Sequence, residues 1–87
     1  MVKYYVVCFS ENLTYSEARE KAKARIVDAR NPPIRYIGRG GSMQSSALAA
    51  KKFTLSEAKK ECKDYNDNPY LKGLKFAVID EQYKMIR

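Results

Sequence analysis

Eighty-seven residues make one domain with room for a single modest core, and an apolar content of 45% excludes a disordered chain. Seventeen basic against ten acidic side chains leave a formal charge of +7. Histidine is absent, which removes the commonest general base and the commonest transition-metal ligand.

Apolar runs are too short to span a bilayer. The start, Met1-Val2-Lys3-Tyr4-Tyr5, lacks the charged, long-apolar and small-residue pattern of a signal peptide, so a cytoplasmic location and no membrane partner are expected. Val2 to Phe9 alternates without a polar side: Val2, Tyr4, Val6 and Cys8 point one way, Tyr5, Val7 and Phe9 the other. Such a run fits an interior strand covered at least partly on both faces. Thr14 then opens a helix through a capping box with Glu17, and Leu13 can staple onto Ala18 across the cap. Tyr15, Ala18, Ala22, Ile26 and Ala29 form its buried stripe, and Asn31-Pro32-Pro33 stops it.

Ile34 to Ile37 reads as a short second strand. Gly38 to Ser46, rich in glycine and serine, reads as a hinge joining two half-repeats. Ala47 to Phe53 is taken as the third strand, although alanine is a poor strand former. Thr54 and Glu57 repeat the capping box with Phe53 as staple, and Leu55, Ala58, Cys62 and Tyr65 line the second helix. Asn66-Asp67-Asn68-Pro69 ends it. Leu74 to Ile79 is a strong strand, Asp80-Glu81-Gln82 a turn, and Tyr83 to Ile86 a short last strand.

The organising feature is a repeat: Thr14-Tyr15-Ser16-Glu17-Ala18-Arg19 returns as Thr54-Leu55-Ser56-Glu57-Ala58-Lys59. One α+β domain over residues 1–87 follows. Its two β-α-β half-repeats, 1–38 and 47–87, are joined by the loop 38–46. The most economical arrangement is a ferredoxin-like two-layer sandwich, with both helices on one face of a mainly antiparallel sheet.

Several chemistries are excluded. Cys8 and Cys62 lie on apolar faces and read as free core thiols. Glu17 and Glu57 are explained by capping, so a paired-carboxylate active site is not needed. The stretch beginning Asp64-Tyr65-Asn66-Asp67-Asn68 spaces oxygens like a calcium loop, yet Pro69 and Lys75 stand where glycine and glutamate are required. Asn12-Leu13-Thr14 is a formal glycosylation triplet that reads as a helix cap. No nucleophile has a base, so no catalytic activity, metal or cofactor is expected.

The positive charge is regional: residues 31–60 hold six basic side chains and one acidic. Gly38-Arg39-Gly40-Gly41-Ser42 can offer backbone N–H groups to a phosphate beside Arg35 and Arg39, although it lacks the ending of a nucleotide P-loop. Lys51, Lys52, Lys59, Lys60 and Lys63 cluster around the second helix start, with Lys59 and Lys63 one turn apart. Tyr5 invites comparison with the RNA-recognition sheet, but residues 47–53 carry none of its glycine-aromatic pattern. Lys51-Lys52-Phe53-Thr54-Leu55-Ser56-Glu57-Ala58 resembles the strand-to-helix junction of the small hybrid-binding domain at the front of some ribonucleases H. That resemblance covers this stretch only, and the tryptophan of such domains is missing here.

The expected function is therefore a non-catalytic basic binding module. Arg35, Arg39, Lys51, Lys52, Lys59 and Lys63 are expected to neutralise nucleic-acid phosphates. The alternative is a small phage-type regulatory or inhibitory protein that docks on an acidic surface of a host protein.

Overall fold

The structure, a computed structural model, describes residues 2–23 and 32–86. Its sheet runs β3-β2-β1-β4-β5, with β1 at Tyr4–Ser10, β2 at Arg35–Ile37, β3 at Met43–Gln44, β4 at Leu74–Asp80 and β5 at Met85–Ile86. Every neighbouring pair is antiparallel. Helix α1 spans Tyr15–Lys23 and α2 spans Leu55–Asn66. The chain is thus a small α+β domain built on a five-stranded antiparallel sheet.

β1 holds the centre and pairs with β4 along its whole length, from Tyr4↔Asp80 to Ser10↔Leu74. Val6, Val7, Cys8 and Phe9 are all buried, so the alternation read from the sequence describes a strand with two covered faces. The two helices divide that task. α1 places Tyr15 and Ala18 with Val7, Phe9, Tyr36 and Ile79. α2 places Ala58 with Val6, Cys8, Phe76 and Val78.

The expected sandwich, with both helices on one face, is corrected accordingly. A strand apolar on both sides cannot leave one side to water, so the layers are helix, sheet, helix. The strand order also differs from the ferredoxin-like one. Ile26, Ala29 and Asn31 lie outside the described residues.

The third strand is also displaced. Ala47–Ala49 forms a single 3-10 turn, closed by Ser46 Oγ accepting the Leu48 N–H at 3.2 Å. Only Phe53 of the expected strand joins the sheet. It exchanges two backbone hydrogen bonds with Tyr4, at 2.9 and 2.8 Å. The real third strand, Met43–Gln44, lies inside the segment read as a hinge and folds back onto β2. Alanines supply no branched surface to pack on a pleat, and a serine cap offers them a turn instead.

Both capping boxes form. Glu17 and Glu57 donate their N–H groups to Thr14 and Thr54 Oγ1 at 3.1 and 3.3 Å. Their carboxylates accept from the threonine N–H groups at 3.0 and 3.1 Å. Leu13 packs on the α1-side core that contains Ala18, and Phe53 shares the α2-side core with Ala58.

A separate clamp ties α1 to the β4–β5 hairpin. Tyr83 sits at φ 64°, a left-handed position that costs a non-glycine residue about 1–2 kcal/mol. Asp80 Oδ1 accepts from the Gln82 and Lys84 N–H groups at 2.8 and 3.0 Å, which holds the turn. The Tyr15 hydroxyl donates to the Tyr83 carbonyl at 2.7 Å, and the Arg19 guanidinium lies 4.6 Å from the Tyr83 ring centre. Burial pushes the Tyr15 hydroxyl up to about 12, so it remains a proton donor through the ordinary pH range.

Thr14→Ala and Thr54→Ala are each expected to lower unfolding stability by about 1 kcal/mol in urea titrations. The bonds from Thr14 and Thr54 hold the Glu17 and Glu57 carboxyls below their ordinary value. A lowered folded-state pKa adds stability that is present above the ordinary glutamate value of 4.5. That stability is lost as pH falls through the folded value. The Glu17→Gln/Glu57→Gln variant should therefore show a shallower loss of thermal stability below that pH than the parent chain.

Candidate functional site

Between Asp28 and Glu57 the sequence carries no carboxylate. The described part of this stretch folds into β2, the glycine turn and β3, which make one edge of the sheet, and then into the 47–49 turn, packed on the α1-side core, and the approach to α2. Arg35 stands opposite Cys8 in the ladder, which puts its half-buried side chain on the α2 face. There it partly offsets the burial that pushes the Cys8 thiol up. Arg39 is exposed in the glycine turn, and Lys51 and Lys52 are exposed on the approach to Phe53. The Lys51 N–H bonds the Ile37 carbonyl at 3.0 Å, and its ammonium lies 5.0 Å from the Phe53 ring centre.

The glycine segment is a built turn that links β2 to β3. The Gly38 N–H donates to the Ser42 carbonyl at 2.7 Å and the Gly41 N–H to the Gly38 carbonyl at 3.2 Å. Ser42 Oγ donates to the Arg39 carbonyl at 3.2 Å and accepts from Gln44 Nε2 at 2.8 Å. Two of the N–H groups that a phosphate cradle would use are therefore spent inside the turn. Beside it lies a hollow of about 280 Å³ whose lining includes Ile37, Lys51, Phe53, Glu61 and Tyr65. Glu61 brings one carboxylate back into this otherwise basic surround.

Lys59 and Lys63 lie on the other flank of α2. They border a groove of about 550 Å³ whose apolar lining includes Phe76, Val78 and Ile86. The six expected site residues thus share the α2 side of the molecule only in part. Arg39, Lys51 and Lys52 belong to the basic edge with Arg35 at its base, and the α2 helix separates them from Lys59 and Lys63. On α1, Lys23 and Glu20 form an ion pair at 3.7 Å.

The tyrosines go mostly to packing. Tyr5 meets Tyr36 edge-on with centroids 6.3 Å apart, and Tyr65 stacks on Phe76 at 5.0 Å. Tyr70 is 93% exposed, in the short 3-10 turn after α2, at the far end of that helix from Lys51 and Lys52. Cys8 and Cys62 are free, and burial pushes both thiols up, away from the thiolate a nucleophile requires.

Two features escaped the sequence reading. Leu48 is 99% exposed at the tip of its turn, but a single apolar tip is ordinary surface. Asn66 is more informative. Its side-chain amide accepts from the Phe76 N–H at 2.9 Å and donates to the Phe76 carbonyl at 3.1 Å. It therefore plays the part of a neighbouring strand at that point of β4. An asparagine at a helix end reads first as a stop signal, and that local role hid the distant one.

Comparison with protein families, with curated proteins and with solved structures finds no match to this chain.

Gly40 and Gly41 both lie at positive φ, 73° and 81°, but a side chain would meet open space at Gly40 and the Tyr65 hydroxyl at 2.9 Å at Gly41. Each alanine substitution should cost about 1–2 kcal/mol for the backbone conformation. Gly41→Ala should cost more in chemical denaturation, because it also displaces Tyr65.

Proposed function

We propose that the chain is a non-catalytic module that holds nucleic-acid phosphates on the basic edge of its sheet. The observation that carries this reading is the run without carboxylates between Asp28 and Glu57, whose described part includes β2 and β3 at one edge of the sheet. Arg39, Lys51 and Lys52 supply exposed cations there, and Arg35 adds to the field at the base. A local excess of one sign draws polyanions at long range, and each neutralised phosphate releases condensed counterions.

Base stacking has little part in this reading. Tyr5, Tyr36 and Tyr65 are engaged with other rings, and exposed Tyr70 is remote from the cations. Contact through phosphates alone gives binding with little sequence preference. The absence of catalysis is supported by what the candidate groups are already doing. Glu17 and Glu57 serve as caps, and both thiols are held protonated by burial.

Retention of labelled oligonucleotides across a salt series tests the proposal. For three to four phosphate contacts on a single strand, log affinity should fall against log salt with a slope of roughly −2 to −3. Arg39→Glu/Lys51→Glu/Lys52→Glu should abolish retention at low salt, and Lys59→Glu/Lys63→Glu should leave most of it. A flat salt dependence in the parent chain would overturn the proposal.

A further inference from the structure

The groove on the β5 flank of α2 has a chemistry of its own. Its floor is apolar, with partly exposed Ile86 beside the buried Phe76 and Val78, and its α2 wall carries Lys59 and Lys63 one turn apart. A phosphate backbone gains nothing from an apolar floor. A ligand with apolar and anionic groups side by side satisfies both surfaces.

The width of the space sets the size of that ligand. α2 lies over β1 and β4, which it contacts more than any other strand. Packed helices sit about 8–10 Å apart axis to axis, which is about two strand spacings. A second helix beside α2 would therefore rest over β5 and its outer edge, against Ile86.

The hydrogen bonds on β4 decide between an extended and a helical ligand. Asp80 is bonded to Lys84 and Tyr83 of the hairpin, Val78 is paired with Ile86 of β5, and Phe76 is bonded by the Asn66 amide. The outward-facing backbone of β4 along the groove is thus already used. An extended peptide laid there would bury its own N–H and C=O groups without partners, at about 1–3 kcal/mol for each group. A helix satisfies its backbone internally.

From this geometry we infer that the groove is a docking site for an amphipathic helix of a partner protein. That helix carries an apolar stripe bordered by Asp or Glu at i, i+4 spacing, to meet Lys59 and Lys63. The site lies across α2 from the basic edge and does not rest on the nucleic-acid reading.

The test uses the full chain and a labelled synthetic peptide of about 18 residues, long enough to hold a helix, with leucines on one stripe and glutamates beside it. Anisotropy at fixed ionic strength reads the affinity, and amide shift changes locate the contact. The peptide should bind and shift residues 59–66, 76–78 and 85–86. Lys59→Glu/Lys63→Glu should weaken it roughly tenfold or more, and a peptide with lysines replacing the glutamates should recover binding to that variant. Ile86→Ser keeps every charge and should weaken it as well.

Equal binding of a scrambled peptide of the same composition overturns the inference. So does equal binding of a peptide broken by a central proline, which would show that the ligand is extended. Affinity unchanged in Lys59→Glu/Lys63→Glu overturns it too. Because that variant keeps Arg39, Lys51 and Lys52, its oligonucleotide retention shows separately whether the nucleic-acid reading stands.

Discussion

β1 is the constraint on which the other features depend. Val6, Val7, Cys8 and Phe9 are consecutive and buried, so neither face of the sheet centre can be left to water. Fully burying a valine or phenylalanine side chain is worth about 1.5–3 kcal/mol. The net stability of a small domain is only about 5–15 kcal/mol, so an uncovered face of β1 would forfeit a large part of it. One helix must lie on each side. That requirement breaks the symmetry suggested by the repeated capping boxes and makes α2 the only described helix on its face. The division of the cations into two flanks follows from α2 standing between them.

The parts of the fold visible in the sequence were those settled by neighbours in the chain. A capping box needs four consecutive residues, so Thr14–Glu17 and Thr54–Glu57 were readable and form as read. β1 and β4 were readable because their alternation runs over seven residues each. Met43–Gln44 was not, since two residues have no period and β3 exists only through its ladder with β2. The placement of the helices was available in principle: a strand apolar on both faces already argues for cover on both. The economy of a two-layer fold outweighed that signal.

The candidate site was legible to a smaller degree. The one-turn spacing of Lys59 and Lys63 follows from helical geometry, and the structure keeps them together. Their separation from Lys51 depends on which flank of α2 meets the glycine turn, and that is decided by the packing of Ala58 and Cys62 on the sheet. The tyrosines show the same limit. Tyr5 invites the comparison with a base-stacking sheet, but it packs on the α1-side core and meets the ring of Tyr36.

Both edges of the sheet are protected against pairing with a further strand. Unpaired strand edges invite association with other chains, and folded proteins shorten or block them. β3 closes one edge with two residues beside a self-bonded glycine turn. On the other edge β5 is also two residues long, and β4 continues past it toward Leu74. Asn66 meets that exposed length at Phe76 with both a donor and an acceptor, the two contacts a further strand residue would make. The amide belongs to α2, so the helix that covers the face also seals the edge. A sheet closed in this way offers little backbone to a strand-like partner. What it presents instead are side chains, with cations around the glycine turn on one flank of α2 and an apolar floor beside two lysines on the other.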